Sequence, residues 1–568
     1  MAQSFVHHRF WPKGVPHTVR IPQVGLPHFL AVNAARYPDK AAIIFNGEVL
    51  TYGQLNQRVE ALAVYLASVL GVQPGDRVLL LSQNCPQFVI AYYATLRVRA
   101  AVVPVNPMST VAEIRYTLAD SGAQVALVAS ELLPQIAPFL NAADGESLDA
   151  VVVHAYSGAV PLPAALPLSP TGLATLHDFD AACAVDVSGA KPLPQPQSDD
   201  LAVIPYTSGT TGHPKGCMHT HATVLASSMA SQLWRGFTVE SVFLCVAPLF
   251  HMLGMQNGMN LPMTLGATVV MMPRWNPVAA AALIERHRIT VWTAPPAMVI
   301  DFFAQPQALT HDLSSLSTLS GGGAAMPEAV ATMLSERFGL SYNEAYGLSE
   351  TAAFLHANPI ARGKRQCLGM PTQGVESRII DPVTLAELPQ GEVGELVTHG
   401  PQVMTGYWRN DEANASAFIL LEGKRFFRTG DLASIDEEGY FFMRDRLKRM
   451  INASGYKVWP AEVESALYEH PAIHEACVIA IDDAKRGESV KALVVLKPSH
   501  RGQVSADDIV TWSRERMAVY KAPRVVALVD QLPKSSTGKI LWRELQEAER
   551  KASVSDNPVS DNPVTESV

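Results

Sequence analysis

Between Arg77 and Ala129 the chain alternates short apolar runs with amphipathic stretches, and this rhythm limits the fold more than any other feature. The runs over 77–81, 101–105 and 124–129 are too short for helices and show no polar alternation, as expected of strands buried on both faces. The stretches 86–99 and 110–121 between them read as helices. A strand–helix–strand–helix–strand series predicts a parallel sheet. A second series starts at Val242 and continues through 267–272, the helical 278–288, and 290–294. Two α/β layers are therefore expected over most of roughly the first 350 residues.

Between these layers, 160–170 and 191–196 are rich in proline, which breaks both helix and strand periods, and read as surface connections. After Gly400 the pattern turns to short strands and turns. From about Arg446 to Arg550 a compact stretch has its own alternation of apolar runs and helices. The expected division is a large domain over 1–445, a small α+β domain over 446–550 and a disordered tail over 551–568, where Val-Ser-Asp-Asn-Pro repeats. The small domain has 17 basic and 14 acidic residues, so it is mildly basic against an acidic body and suits a polyanionic ligand.

Composition excludes several classes. With 44 Lys plus Arg against 53 Asp plus Glu, the net charge of −9 argues against a dominant nucleic-acid role. At 48% hydrophobic and 17% charged residues, the chain is no disordered scaffold. The six cysteines, Cys85, Cys183, Cys217, Cys245, Cys367 and Cys477, form no C-x-x-C pair, which suits a reducing, cytoplasmic setting better than a disulfide framework or a zinc site. No run of about 20 apolar residues predicts a membrane span or secretory leader.

The most informative stretch runs from Tyr206 to Gly216: Tyr-Thr-Ser-Gly-Thr-Thr-Gly-His-Pro-Lys-Gly. Hydroxyls, glycines and one lysine in so short a loop can wrap phosphate oxygens with backbone N–H groups and side chains. It is not a Walker A loop, because Pro214 precedes Lys215 and Gly216 follows it. The bland alternative is a flexible surface turn.

This segment resembles the phosphate loop of the adenylate-forming superfamily, which includes acyl-CoA synthetases, firefly luciferase and peptide-synthetase adenylation domains. Further segments match that family's motifs in order: Pro248-Leu249-Phe250-His251, Gly321-Gly322-Gly323-Ala324, Tyr346-Gly347-Leu348-Ser349-Glu350-Thr351, Arg428-Thr429-Gly430-Asp431, 446–464 and 533–539. The likeness spans about Ala31 to Leu545. It implies an α/β fold: a large N-terminal domain of stacked α/β subdomains with a small β-barrel, and a small mobile α+β C-terminal lid. It also implies that ATP and a carboxylic acid give acyl-AMP and pyrophosphate, and that CoA then gives the thioester.

The resemblance carries roles residue by residue. Thr207, Ser208, Gly209, Thr210, Thr211, Gly212 and Lys215 would hold the ATP phosphates. Thr207 and Glu350 would hold Mg²⁺, an oxygen-ligand set proper to a hard cation. Gly322, Gly323, Ala324, Glu344, Ala345, Tyr346, Gly347 and Ser349 would surround adenine, with Tyr346 stacking on it. Asp431 would accept from both ribose hydroxyls, and Arg446 would add a ribose or phosphate contact. Lys539 would bridge the attacking carboxylate and the α-phosphate during adenylation. Rotation about Lys448 would then bring Ser454, Gly455 and Tyr456 to the pantetheine channel. Lys457 is placed toward the CoA phosphates, with an exposed lysine as the alternative. Three departures stand out: Arg449 where relatives carry an acidic residue, Ser349 for a common threonine, and Glu344-Ala345 for Gln-Gly or Asn-Gly.

His251 stands where amino-acid-activating relatives carry Asp, which argues against an amino-acid substrate and names His251 as a candidate catalytic residue. His251, Met252, Met255, Gly323 and Tyr346 are the expected acyl pocket. Adaptable methionines there suit an acyl chain or an aromatic ring, and not a diacid; packing of a core helix is the alternative reading of the same residues. The expected substrate is a medium- to long-chain fatty acid, with an aryl or arylalkanoic acid as the runner-up. A luciferase-type oxidation and a non-catalytic binding protein are the rivals from other classes. Relatives of this kind often form homodimers.

Overall fold

Parallel strands form as Arg77–Leu81, Ala101–Val105 and Val125–Ala129, with helices Pro86–Arg97 and Val111–Ser121 between them. Every residue of Ala101–Val105, Val125–Ala129 and Ala150–His154 is buried, which explains why these strands read as unbroken apolar runs. The structure is a computed structural model and describes residues 3–140, 147–156, 175–207, 214–453, 456–483, 487–534 and 540–555.

The chain divides into two units. The first comprises Met1–Arg378, Val397–Thr429 and Asp436–Phe441, and the second Ile379–Leu396, Gly430–Ile435 and Phe442–Val568. A large N-terminal part and a smaller C-terminal one are thus both present.

The first unit carries two nine-stranded sheets. In one, Val242–Cys245, Thr268–Met271, Val291–Thr293, Thr318–Gly321 and Tyr342–Tyr346 run parallel. In the other, Lys215–Thr220 pairs antiparallel with both Leu201–Val203 and Gly406–Tyr407. The main core gathers Tyr52, Leu62, Phe88, Tyr92, Leu225 and Leu249. Thr51 and Thr110 cap their helices through reciprocal bonds with Gln54 and Glu113, fixing where the chain turns into each helix.

A five-stranded sheet has the order Glu376–Ile380, Gly394–His399, Lys424–Ile435, Phe418–Leu421, with Phe441–Arg446 paired to Lys424–Ile435. It occupies the region expected to hold a small barrel. In the second unit, Ile473–Asp483 and Gly487–Leu496 form a long hairpin, joined by Ile451–Ala453, Tyr456–Val458 and Val525–Leu528. Helices Pro460–Leu467 and Ala506–Arg516 bury Val463, Leu467, Ile509 and Val510 in that unit's core. The last helix, Trp542–Ser555, runs past residue 550, where the tail was expected to begin, because the helix-favouring series Glu547, Ala548, Glu549 and Arg550 continues into Lys551 and Ala552. The remaining tail, 556–568, and the proline-rich 160–170 lie outside the described residues.

Candidate functional site

Strand Tyr206–Thr207 pairs antiparallel with the start of Lys215–Thr220, setting Thr207 opposite Lys215. The two residues that flank the loop are therefore held side by side, and Thr207 Oγ1 donates to the Lys215 carbonyl at 3.4 Å. Neighbours pin this hairpin: Tyr206 donates to Asp120, Tyr116 donates to the Pro214 carbonyl, and the Trp408 N–H donates to the Gly216 carbonyl. Ser208, Gly209, Thr210, Thr211 and Gly212 lie outside the described residues.

Glu350 faces the same place. The pairing Cys217↔Tyr407 brings Tyr407 across the sheet, where its hydroxyl donates to Glu350 Oε1 at 2.9 Å. The Lys215 ammonium stands 5.1 Å from the centre of the Tyr407 ring, within cation–π range. Burial first, and then the charge of Glu350, pushes the Tyr407 hydroxyl well above its ordinary range, so it stays a donor. Tyr407 is absent from the sequence-based expectation, because its place is set by a strand pairing far along the chain.

The turn Ser349–Thr351 that presents Glu350 is tied at several points. The Met404 N–H donates to the Glu350 carbonyl at 2.8 Å, and Ser227 Oγ donates to the Ala352 carbonyl. His219 Nε2 lies 2.6 Å from the Ser349 carbonyl, which can only accept; the neutral ring therefore donates there and takes the Thr223 hydroxyl at Nδ1. Burial lowers the His219 pKa to about 4, in keeping with that neutral form. Ala352 and Ala353 both adopt positive φ, of 48° and 73°, so the backbone reverses sharply just after Glu350.

The glycine run and Tyr346 sit at adjacent strand ends, with Gly321 paired to Glu344. A Cβ on Gly321 would lie 1.9 Å from the Ala294 carbonyl, and one on Gly322 2.2 Å from that of Ala345. Those two glycines are demanded by the protein's own backbone. Gly323, at φ +86°, meets nothing within 4 Å, and Ala324 is exposed, so this end of the run is open to a ligand. Tyr346 is buried against the His356 ring, 5.5 Å between centres, and His356 is held by Ser377 at 2.7 Å. The carboxylate of Glu344 points elsewhere: Oε1 accepts from Met326 N at 2.8 Å and Oε2 from Cys367 N at 3.0 Å. Its side chain anchors loops, leaving the backbone of Glu344 and Ala345 at the strand end.

His251 precedes the helical turn Met252–Met255, and its ring lies 4.6 Å from that of Phe250. Burial lowers its pKa to about 4, so the imidazole is uncharged near neutral pH. After this turn comes a π-helical segment, Gln256–Asn260, a distortion that often marks a functional site. A Cβ on Gly254 would lie 2.2 Å from the Pro248 carbonyl, and one on Gly258 2.7 Å from Cys245 Sγ. Only glycines can face the strand end here, which fixes the register of the helix. Leu253, Gly254, Asn257 and Gly258 consequently lie close against Ala247 and Thr293, with a crevice between them too narrow for a water molecule. Met252 and Met255, expected as pocket lining, turn the other way into the main core.

In the second unit, Arg446 Nε lies 2.7 Å from Asp431 Oδ1, and Asp431 is fully buried. Lys448 is described by its backbone in the turn Leu447–Arg449. Arg449 is paired with Glu464 and donates to the Val478 carbonyl at 3.0 Å, so the departure noted in sequence has a partner of its own. Ser454, Gly455 and Lys539 lie outside the described residues, as do the side chains of Tyr456 and Lys457.

The donor set of Thr207 and Glu350 is all oxygen, which fits Mg²⁺, an ion that takes one or two protein oxygens and fills its shell with phosphates and water. Among the described residues no group of three or more His, Cys, Asp or Glu could hold a metal.

The chain is similar to known proteins over most of its length. The family model "AMP-binding enzyme" matches residues 30–408, and "AMP-binding enzyme C-terminal domain" matches 462–539. The long-chain-fatty-acid–CoA ligase of Bacillus subtilis (strain 168) is 35% identical, covering 95% of this chain and 97% of its own. Feruloyl-CoA synthase of an Amycolatopsis species is 34% identical over 92% and 98%. The crystal structure of ATP-bound MatB from Rhodopseudomonas palustris superposes with a TM-score of 0.81 at 27% identity, covering 93% of this chain and 99% of that one.

Proposed function

Because the chain belongs to the AMP-binding enzyme family and is an adenylate-forming acyl-CoA ligase, we propose that it activates a medium- to long-chain fatty acid to acyl-CoA. The observation that carries the chemistry is that Lys215 and Glu350 meet at Tyr407, with Thr207 paired opposite Lys215. In the first half-reaction a carboxylate oxygen of the acid attacks the α-phosphorus of ATP, and pyrophosphate leaves. Lys215 and the loop before it hold the departing phosphates, where negative charge grows. Mg²⁺, held by Glu350 and Thr207, would neutralise phosphate charge. Asp431 and Arg446 are assigned to the ribose, and Lys539 to the oxygen bridging acid and α-phosphate.

In the second half-reaction the CoA thiolate attacks the acyl carbonyl and AMP leaves. We assign the lid to 446–550, its pivot to Lys448 and the pantetheine channel to Ser454, Gly455, Tyr456 and Lys457. His251, uncharged at neutral pH, serves as a wall and hydrogen-bonding group beside the acyl carbonyl rather than as a cation. The cytoplasm is the assigned compartment, in line with six free cysteines; no helix among the described residues is long and apolar enough to cross a membrane.

A second reading is an aryl or arylalkanoic acid. The feruloyl-CoA synthase among the relatives agrees with it. Acid-dependent exchange of pyrophosphate into ATP, followed by detection of the thioester, tests both.

A further inference from the structure

The positive φ of Ala352 and Ala353, just beyond Glu350, lies in a region that residues with a Cβ avoid. Backbone of this kind persists only where its surroundings hold it. One holder is Ser227, whose Oγ donates to the Ala352 carbonyl. The other is Gln256, whose Nε2 donates to the same carbonyl at 3.3 Å and to the Val224 carbonyl at 3.1 Å. A carbonyl only accepts, so the Gln256 amide faces both with its NH₂ group.

The other end of that amide is equally fixed. Gln256 Oε1 accepts from Ser228 Oγ at 3.3 Å and from Asn260 Nδ2 at 3.1 Å. Asn260 Nδ2 also donates to the Tyr92 hydroxyl at 3.2 Å, and Asn260 Oδ1 accepts from the Tyr93 hydroxyl at 3.3 Å. Gln256, Asn260, Ser227 and Ser228 are all buried. In the interior such a chain of amides and hydroxyls is stiff when its groups are matched, and costly to break. Gln256 also opens the π-helical segment Gln256–Asn260, directly after the turn Met252–Met255 that follows His251. One side chain therefore ties the helix after His251, the helix His221–Arg235 that carries Val224 and Ser228, and the strained residue behind Glu350. Packing alone calls for an apolar side chain at so buried a position, not for an amide.

Resting on the acyl-CoA ligase reading above, we propose that Gln256 and Ser227 are positioning residues for Glu350: they hold the left-handed backbone at Ala352 and so fix the carboxylate assigned to Mg²⁺. Both act through the turn and not on the reacting atoms. Without them the turn relaxes toward ordinary backbone, and Glu350 leaves its place beside the Tyr407 hydroxyl. The loss falls on binding of ATP with Mg²⁺ and on adenylation. It spares the second half-reaction, which starts from an adenylate already formed.

The test uses Gln256→Met, which keeps the volume and removes the amide, and Ser227→Ala, which removes one hydroxyl. Calorimetry gives the Kd for ATP with Mg²⁺ and with EDTA, and the two half-reactions are assayed separately. Each variant should raise the Kd about fivefold or more with Mg²⁺ and leave it unchanged with EDTA. Adenylation should fall, while supplied acyl-AMP and CoA should form thioester at the unmodified rate. An unchanged Kd with Mg²⁺ in either folded variant overturns the proposal. So does an equal rise with EDTA, or an equal loss in both half-reactions, as a merely structural role would give. If Gln256→Met does not fold, Ser227→Ala decides, because it opens the same carbonyl. Absence of acid-dependent exchange in the unmodified protein would overturn the ligase reading itself, and this proposal with it.

Discussion

The Tyr407 hydroxyl donates to Glu350 Oε1 at 2.9 Å, and the same ring lies under the ammonium of Lys215. One aromatic residue thereby orients both the carboxylate proposed to hold Mg²⁺ and the ammonium proposed to hold phosphate. Tyr407→Phe keeps the ring and removes only the hydroxyl, which should raise the Mg²⁺ and ATP concentrations needed for half-maximal rate by about tenfold. Glu350→Gln should lower adenylation by about 10² or more. Titrations of exchange rate against Mg²⁺ and ATP check this, and an unchanged Mg²⁺ dependence in Tyr407→Phe would remove the hydroxyl from the site.

Asp431 and Arg446 form an ion pair whose carboxylate is fully buried. Asp431→Ala should raise the KM for ATP and reduce turnover. Arg446→Ala should do the same and also lower the melting temperature, because it leaves a buried carboxylate without its cation. If ATP dependence is unchanged in Asp431→Ala, the ribose assignment is wrong.

For Lys539→Ala the two half-reactions should separate. Adenylation should fall by about 10² or more through loss of a charge contact in the transition state, while supplied acyl-AMP and CoA should still form thioester. Equal loss in both assays would contradict the assigned role.

Burial lowers the pKa of His219 and His251 to about 4 and that of His356 to about 3. Unfolded histidines titrate near 6.5, so from about pH 6.5 downward the unfolded chain takes up protons that the folded one refuses. Stability should therefore be full above about pH 7 and fall as pH drops toward 4. For His219 alone, the gap between the folded and unfolded titrations corresponds to a loss of up to roughly 3 kcal/mol across that range. Melting temperatures from pH 8 to 5 should decline, and His219→Gln should flatten the decline; a pH-independent midpoint would contradict it.

The parallel strands are legible in sequence because burial on both faces writes a continuous apolar run, as in Val125–Ala129. Strands of two residues, such as Tyr206–Thr207 and Gly406–Tyr407, carry no such pattern, and Tyr407 escapes notice for that reason. The glycine run is legible as a place of close approach, but not that Gly321 and Gly322 make room for the chain's own carbonyls. Sequence leaves Met252 and Met255 open to a pocket or to a core helix, and the fold packs both in the core, since the helix register depends on contacts of Gly254 and Gly258 with Pro248 and Cys245.

The central claim is tested most directly by acid-dependent exchange of labelled pyrophosphate into ATP, followed by mass detection of the CoA thioester. Fatty acids from C2 to C18 and substituted benzoates and cinnamates would be the acids. The account predicts exchange that needs the acid, is lost in Glu350→Gln, and leads to thioester when CoA is added. Exchange that proceeds without any thioester would contradict it, because the acceptor would then not be CoA.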